Sequence, residues 1–200
     1  MESIRAKPTS GIAPVATIIR FSDRKNDAAY WRAQSYLARL ETLEQIRQEY
    51  HRWKYHAEPG FKEFIQSLNE NDVRYLVVGG YAVALHGYPR HTKDIEIWVG
   101  RDLENASCIV KALDQFGFAS LGLKAEDFLE PDTIIQLGYP PNRIDLIITL
   151  PGVEFDSAFA ARLEIEVGDI KVNFIDLENL KKNKRATARN QDLADLENLE

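Results

Sequence analysis

Apolar side chains change their spacing near residue 60 of the chain. Before that point they recur every three or four residues, which predicts one amphipathic helix about five turns long. Its apolar positions are Leu37, Leu40, Leu43, Ile46, Tyr50 and Trp53. Pro59 and Gly60 then interrupt the pattern as a linker. The expected organisation is a tail over residues 1–21, a helical arm over 22–57 and a folded domain over 58–200.

Short, nearly continuous apolar runs alternate with helix-like segments after the linker. Such runs are typical of strands that are buried on both faces. They occupy residues 73–80, 94–99, 133–138 and 143–150, and a hairpin with Gly-Asp at its turn is predicted over 163–175. Helices are predicted over 61–71, 81–87, 103–118, 156–163, 177–187 and 192–200. This alternation predicts an α/β (α+β) domain.

The strand over residues 94–99 carries two carboxylates on one side. Asp94 and Glu96 are two residues apart, so they share a face with Cα atoms roughly 6.6 Å apart. Buried like charges repel, and a core strand should avoid this pair unless a cation lies nearby. Asp145 lies in a second apolar strand; if the two strands are neighbours, three carboxylates converge on a site suited to divalent cations. The alternatives are a solvated face for the pair and a salt bridge between Asp145 and Arg143.

A Gly-Gly pair stands where a buried strand ends and a helix begins. Bare backbone at Gly79 and Gly80 can approach a phosphate closely, although a tight turn explains either glycine alone. Arg90, Thr92 and Lys93 precede the carboxylates and are candidate partners of phosphate oxygens.

Taken in this order, these features resemble the nucleotidyltransferase superfamily built on the polymerase-β-like core, especially its minimal members associated with toxin–antitoxin systems. The matching segments are "RYLVVGGYAVALHGYPRHTKDIEIWV", "QLGYPPNRIDLIITLPGVEFDSAFAARL" and "NKRATARNQDLADLE". The resemblance covers roughly residues 61–200 and implies the nucleotidyltransferase fold, a mixed β-sheet flanked by helices, with the N-terminal helical arm attached.

The resemblance also implies roles for individual residues. Metal ligands would be Asp94, Glu96 and Asp145, and the triphosphate would lie on Gly79 and Gly80. Lys184 would lie near the nucleotide, oriented by Asp192 or Asp195, whereas the alternative is a solvated helix end. One departure is Glu96, because the family most often has Asp at that position.

The implied activity is metal-dependent transfer of a nucleoside monophosphate from an NTP to an acceptor hydroxyl, with Mg²⁺ or Mn²⁺ as cofactor. Asp145 is the candidate general base. The acceptor would be a tRNA 3′ end or a protein side chain, and the enzyme a toxin restrained by its arm. The arm resembles small antitoxin-like proteins, so the alternative is a catalytically weak nucleotide-binding or antitoxin-like module of a toxin–antitoxin or phage-defence system.

Composition and charge narrow these hypotheses further. Cys108 is the only cysteine, which excludes a disulfide framework and a Cys-rich zinc site. No apolar run is long enough for a bilayer, so a cytoplasmic protein without a membrane partner is expected. The net charge of -6 divides into +3 for residues 1–60 and -9 for the rest. An acidic body argues against duplex DNA as a partner, and it favours docking of the arm on its own body or on a second copy in a homodimer.

Overall fold

The protein is described by a computed structural model. It covers residues 28–54, 61–92, 94–138 and 143–199, with backbone alone for 28–29 and 46–54. The predicted tail, Pro59, Gly60 and Lys93 lie outside the described residues. The side chains of Ile46, Tyr50 and Trp53 do so as well.

The described part of the chain contains eight α-helices and six strands, together with a π-helical turn at Asp114–Phe118 and 3₁₀ turns at Ala119–Leu121 and Ala125–Phe128. The helices are α1 (Ala28–Ala33), α2 (Tyr36–Lys54), α3 (Phe61–Glu70), α4 (Gly79–Leu85), α5 (Leu103–Leu113), α6 (Phe155–Ala160), α7 (Leu177–Thr187) and α8 (Asn190–Leu199). The strands are β1 (Tyr75–Val78), β2 (Asp94–Val99), β3 (Ile134–Leu137), β4 (Arg143–Ile147), β5 (Leu163–Val167) and β6 (Ile170–Phe174). No helix among these is long and apolar enough to cross a bilayer.

The strands form one mixed sheet in the order β3-β4-β2-β1-β6-β5. β2 runs parallel to β4 and antiparallel to β1, while β1 runs parallel to β6. All four residues of β1 are buried, as its continuous apolar run predicts. The predicted α/β class, with a mixed sheet and surrounding helices, is confirmed.

Strand register places the charged residues of β2 and β4 on one face of the sheet. Glu96 lies opposite Asp145, and Asp94 lies opposite Arg143. Because alternate residues of a strand share a face, these four side chains leave the sheet on the same side. β2 and β4 are neighbours. The three carboxylates were predicted to converge if this was the case.

The arm packs against its own body through α2. Leu40 and Leu43 belong to the hydrophobic core. Arg39 is buried and its guanidinium donates to the backbone oxygens of Leu85, at 2.6 Å, and Trp31, at 2.7 Å. These bonds tie α1, α2 and the end of α4 together. In the single chain described, α2 is folded onto its own body, which is one of the two geometries that charge allows.

The cavity beside α2 shows which face of the sheet this helix approaches. Leu40 and Glu44 of α2 line a cavity of about 630 Å³ whose wall includes Val77 and Ile95 of the sheet. Ile95 alternates with Asp94 and Glu96 along β2 and therefore points to the opposite face. α2 therefore approaches the sheet on the face opposite to the carboxylates.

Candidate active site

Three carboxylates and one guanidinium form what we call the carboxylate cluster: Asp94, Glu96, Asp145 and Arg143. Arg143 binds Asp145 through two bonds, from Nε to Oδ1 at 2.8 Å and from Nη2 to Oδ2 at 3.0 Å. The same Nη2 also donates to Oδ2 of Asp94. The salt bridge considered for Asp145 is thus present, and it extends across the strands to Asp94.

The charge balance of the carboxylate cluster is negative, because one guanidinium faces three carboxylates. Burial raises the pKa of Asp145 above its ordinary value, and the bonds from Arg143 offset this only in part. Burial also raises the pKa of Glu96, and the neighbouring charge of Asp94 raises it further. Both shifts mean that the ionised carboxylates lack sufficient compensation.

Glu96 lies directly against the Gly-Gly pair. Its Oε2 accepts a hydrogen bond from the backbone N–H of Gly80 at 3.3 Å. A Cβ atom built on Gly79 would lie 1.5 Å from that oxygen, and Gly79 also has a φ of +59°. Only glycine fits there, for reasons of both space and backbone conformation. The surface expected to hold a triphosphate is occupied by a protein carboxylate.

Thr92 packs against the second glycine. Its hydroxyl is buried and donates to the backbone oxygen of Asp94 at 3.2 Å. A Cβ atom on Gly80 would lie 2.7 Å from Oγ1 of Thr92. Thr92 therefore fixes the approach of the 90–92 segment to the start of α4, which brings it into the site.

A second group of charges, which we call the C-terminal ion-pair cluster, joins α7 and α8 to the 90–92 segment. Lys184 is only 4% exposed, and its Nζ lies 2.8 Å from both Oδ1 of Asp192 and Oδ2 of Asp195. Arg90 forms a bidentate pair with Asp195, at 2.6 and 2.8 Å. Arg189 binds Asp192 at 2.7 Å.

This geometry places two predicted nucleotide-binding residues in definite surroundings. The solvated helix end considered for Lys184 is excluded by its burial, and both aspartates proposed to orient it do contact it. Arg90 has its guanidinium fork on Asp195, so it links the 90–92 segment to α8. Arg90 was predicted to contact phosphate because it precedes the carboxylates in the sequence. That position gives no information about Asp195, which lies 105 residues further along the chain.

The C-terminal ion-pair cluster is electrostatically well compensated. Burial acts to raise the pKa of Asp192, but bonds from Lys184, Arg189 and Thr187 outweigh it and lower that pKa to about 2. The pKa of Asp195 is also lowered, because bonds from Arg90 and Lys184 outweigh its burial. These shifts are opposite in direction to those of the carboxylate cluster.

The two clusters adjoin each other. The charges of Lys184 and Arg189 both act to lower the pKa of Glu96, so these two cations lie within electrostatic range of its carboxylate. Arg189 was missed from the sequence, although its spacing of three residues from Asp192 at the start of α8 is a usable signal. The site therefore combines carboxylates on the sheet, backbone at Gly79 and Gly80, and basic residues from the C-terminal helices.

The donor chemistry of the carboxylate cluster suits a divalent cation, since Mg²⁺ and Mn²⁺ prefer carboxylate oxygens. In their present positions, however, no three His, Cys, Asp or Glu side chains of the described segments are grouped closely enough to hold a metal. Two observations explain this: Arg143 bridges Asp94 and Asp145, and Glu96 lies against Gly79. The residues fit the ion by type and register, while their side chains are arranged around a guanidinium.

Comparisons with known proteins add no constraint. No protein-family model matches the chain, and no curated protein matches its sequence. A function therefore has to be argued from the two clusters and the Gly-Gly pair between them.

Proposed function

We propose that the protein is a metal-dependent nucleotidyltransferase, which transfers a nucleoside monophosphate from an NTP to an acceptor hydroxyl and releases pyrophosphate. One observation carries the proposal. Asp94, Glu96 and Asp145 share one face of two parallel strands, and the Gly-Gly pair adjoins them. Carboxylates placed beside bare backbone and basic side chains suit a substrate that brings both metal and phosphate.

The three carboxylates would hold Mg²⁺ or Mn²⁺, and the bound ion would neutralise charge that develops on the transferred phosphate. Asp145 would accept the proton of the acceptor hydroxyl on a carboxylate oxygen. The backbone N–H of Gly80 would turn from Glu96 to a phosphate oxygen. Lys184 and Arg189 would offset the charge of the triphosphate.

Residues of the 90–93 segment would shape this pocket. Arg90 and Thr92 would position it through their contacts with Asp195 and with Asp94 and Gly80. Lys93 stays a predicted phosphate contact. For the acceptor we keep a tRNA 3′ end or a protein side chain, and the cytoplasm as location.

The arm would restrain the enzyme through α4. Arg39 holds the C-terminal end of α4 at Leu85, and the hydroxyl of Tyr81 in the same helix donates to Glu44 of α2 at 3.2 Å. Because α4 begins with Gly79 and Gly80, a shift of the arm would be transmitted to the phosphate surface. This route differs from direct masking of the carboxylates, because α2 approaches the opposite face of the sheet.

The test is transfer of label from each of four α-labelled NTPs to total RNA or to protein, with Mg²⁺ or Mn²⁺. We expect labelled product with wild-type protein and none with Asp145→Asn, which keeps the shape of the side chain without its charge. Retained NTP binding without transfer, in every combination, would contradict the proposal. It would favour the alternative of a catalytically weak binding module, which the Arg143 bridge and the placement of Glu96 support.

A further inference from the structure

We infer that Arg143 is a built-in competitor of the catalytic metal: its guanidinium holds the cation position between Asp94 and Asp145 and leaves when a divalent ion binds. The inference rests on the proposed function and concerns how the same site is loaded. It assigns to Arg143 a role that differs from a permanent salt bridge.

The first step is that guanidinium and metal need the same atoms. Arg143 contacts both carboxylate oxygens of Asp145 and Oδ2 of Asp94. Those oxygens are the donors that a hard divalent cation would take from these two residues. The two cations therefore cannot be bound fully at the same time.

The second step is that Arg143 is able to leave. Its side chain is 27% exposed, whereas the side chain of Lys184 in the neighbouring cluster is 5% exposed. A long side chain that reaches solvent can withdraw its charge into water without leaving a buried cation unpaired. Lys184 lacks that route and is fixed.

The third step is the charge balance. A single guanidinium brings one positive charge to the two carboxylates that it contacts, Asp94 and Asp145. A divalent ion brings twice that charge to the same oxygens. Exchange therefore favours the metal once its concentration is sufficient, and the guanidinium lowers the apparent affinity until then.

The experiment measures the dissociation constant of Mn²⁺ by calorimetry with full-length protein at constant ionic strength. We expect Arg143→Gln to bind Mn²⁺ at least about tenfold more tightly than wild type, because hydrogen bonds between charged groups contribute on that scale. Arg143→Lys keeps the charge without the planar fork and should fall between the two.

A matched control exists at the other end of β2. Arg74 also bridges two carboxylates, Asp102 at 2.6 Å and Asp156 at 3.0 Å, and its backbone oxygen accepts from Gly100, which follows the last residue of β2. Arg74→Gln should leave the Mn²⁺ affinity unchanged. A gain equal to that of Arg143→Gln would show a long-range charge effect and overturn the inference.

Wild-type protein provides a test that needs no variant to fold. The Nε–H resonance of Arg143 should shift as Mg²⁺ is added, and an unchanged resonance at saturation would overturn the exchange. Equal Mn²⁺ affinity in wild type and Arg143→Gln, or wild-type affinity in Arg143→Lys, would also overturn it while leaving the proposed function intact. Failure of every variant to bind Mn²⁺, even with a non-hydrolysable NTP, would overturn both.

Discussion

Two adjoining groups of charged side chains in this molecule differ in how well their charges are compensated. The C-terminal ion-pair cluster contains three cations and two aspartates, and the pKa values of both aspartates are lowered. The carboxylate cluster contains one cation and three carboxylates, and the pKa values of Glu96 and Asp145 are raised.

This difference separates a cluster that holds the fold together from one that is suited to a ligand. Asp192 and Asp195 satisfy their hydrogen bonds within the protein, so they stabilise the packing of α7 and α8. The carboxylates of β2 and β4 leave negative charge that no described side chain fully neutralises. Perturbed carboxylates of this kind are typical of functional sites. Changes to the two clusters should therefore have different effects, one on activity and the other on stability.

The largest effect is expected from Asp94→Ala. Under the proposed function Asp94 holds the metal, so its loss would remove several kcal/mol of transition-state stabilisation, which corresponds to a decrease in transfer rate of about a thousandfold. The fold should persist, since removing one of three like charges relieves repulsion with Glu96. Transfer rate and melting temperature are the measurements. Wild-type activity in this variant would show that Asp94 is not required, and it would contradict the assignment of the carboxylate cluster as the active site.

Asp195→Ala should affect stability instead. It leaves Arg90 without its carboxylate partner and Lys184 with Asp192 alone, and breaking a buried pair costs about 3–5 kcal/mol in free energy of unfolding. Asp156→Ala is the control, because the side chain of Asp156 is 84% exposed in its pair with Arg74 and should contribute less than about 1 kcal/mol. Urea denaturation gives both values. Equal costs would show that the C-terminal ion-pair cluster does not anchor the fold.

The C-terminal ion-pair cluster should also make the stability of the protein depend on pH. The pKa of Asp192 is lowered from 3.8 to about 2, so its ionised form stabilises the fold above about pH 4. That contribution, about 2 kcal/mol, is lost as the pH falls from about 4 towards 2. The stability difference between wild type and Asp192→Asn should therefore narrow over that range. A difference that stays constant would mean that Asp192 is not ionised against its neighbours.

The smallest effect is expected where the two clusters meet, at Gly79. Gly79→Ala places a side chain at positive φ, which costs roughly 1–2 kcal/mol, and it also displaces the carboxylate of Glu96. Adding Glu96→Asp, which shortens the side chain by one methylene, should restore part of the lost transfer activity. The backbone strain at position 79 should remain. Glu96→Asp alone should keep or increase Mg²⁺-dependent transfer. A complete loss in that single variant would mean that the site is built around the longer side chain.

The sequence predicts the strands better than the contacts between clusters. Continuous apolar runs locate β1, β2 and β4, because burial on both faces leaves little choice of residue. Two-residue periodicity then places Asp94 and Glu96 on one face. The bond from Arg39 to Leu85 and the pair between Arg90 and Asp195 join segments far apart in the chain, and local spacing contains no information about them. The placement of Glu96 against Gly79 depends on strand register, which only the folded sheet supplies.

The most direct test of the central claim is to locate a bound metal by NMR. Mn²⁺ added below stoichiometric amounts broadens the amide signals nearest to it. We predict that the broadening centres on the amides of Asp94, Glu96 and Asp145 in wild-type protein and is absent in Asp94→Ala. Broadening that is spread evenly over exposed acidic residues, and equal in both proteins, would contradict the assignment of the carboxylate cluster as a metal site.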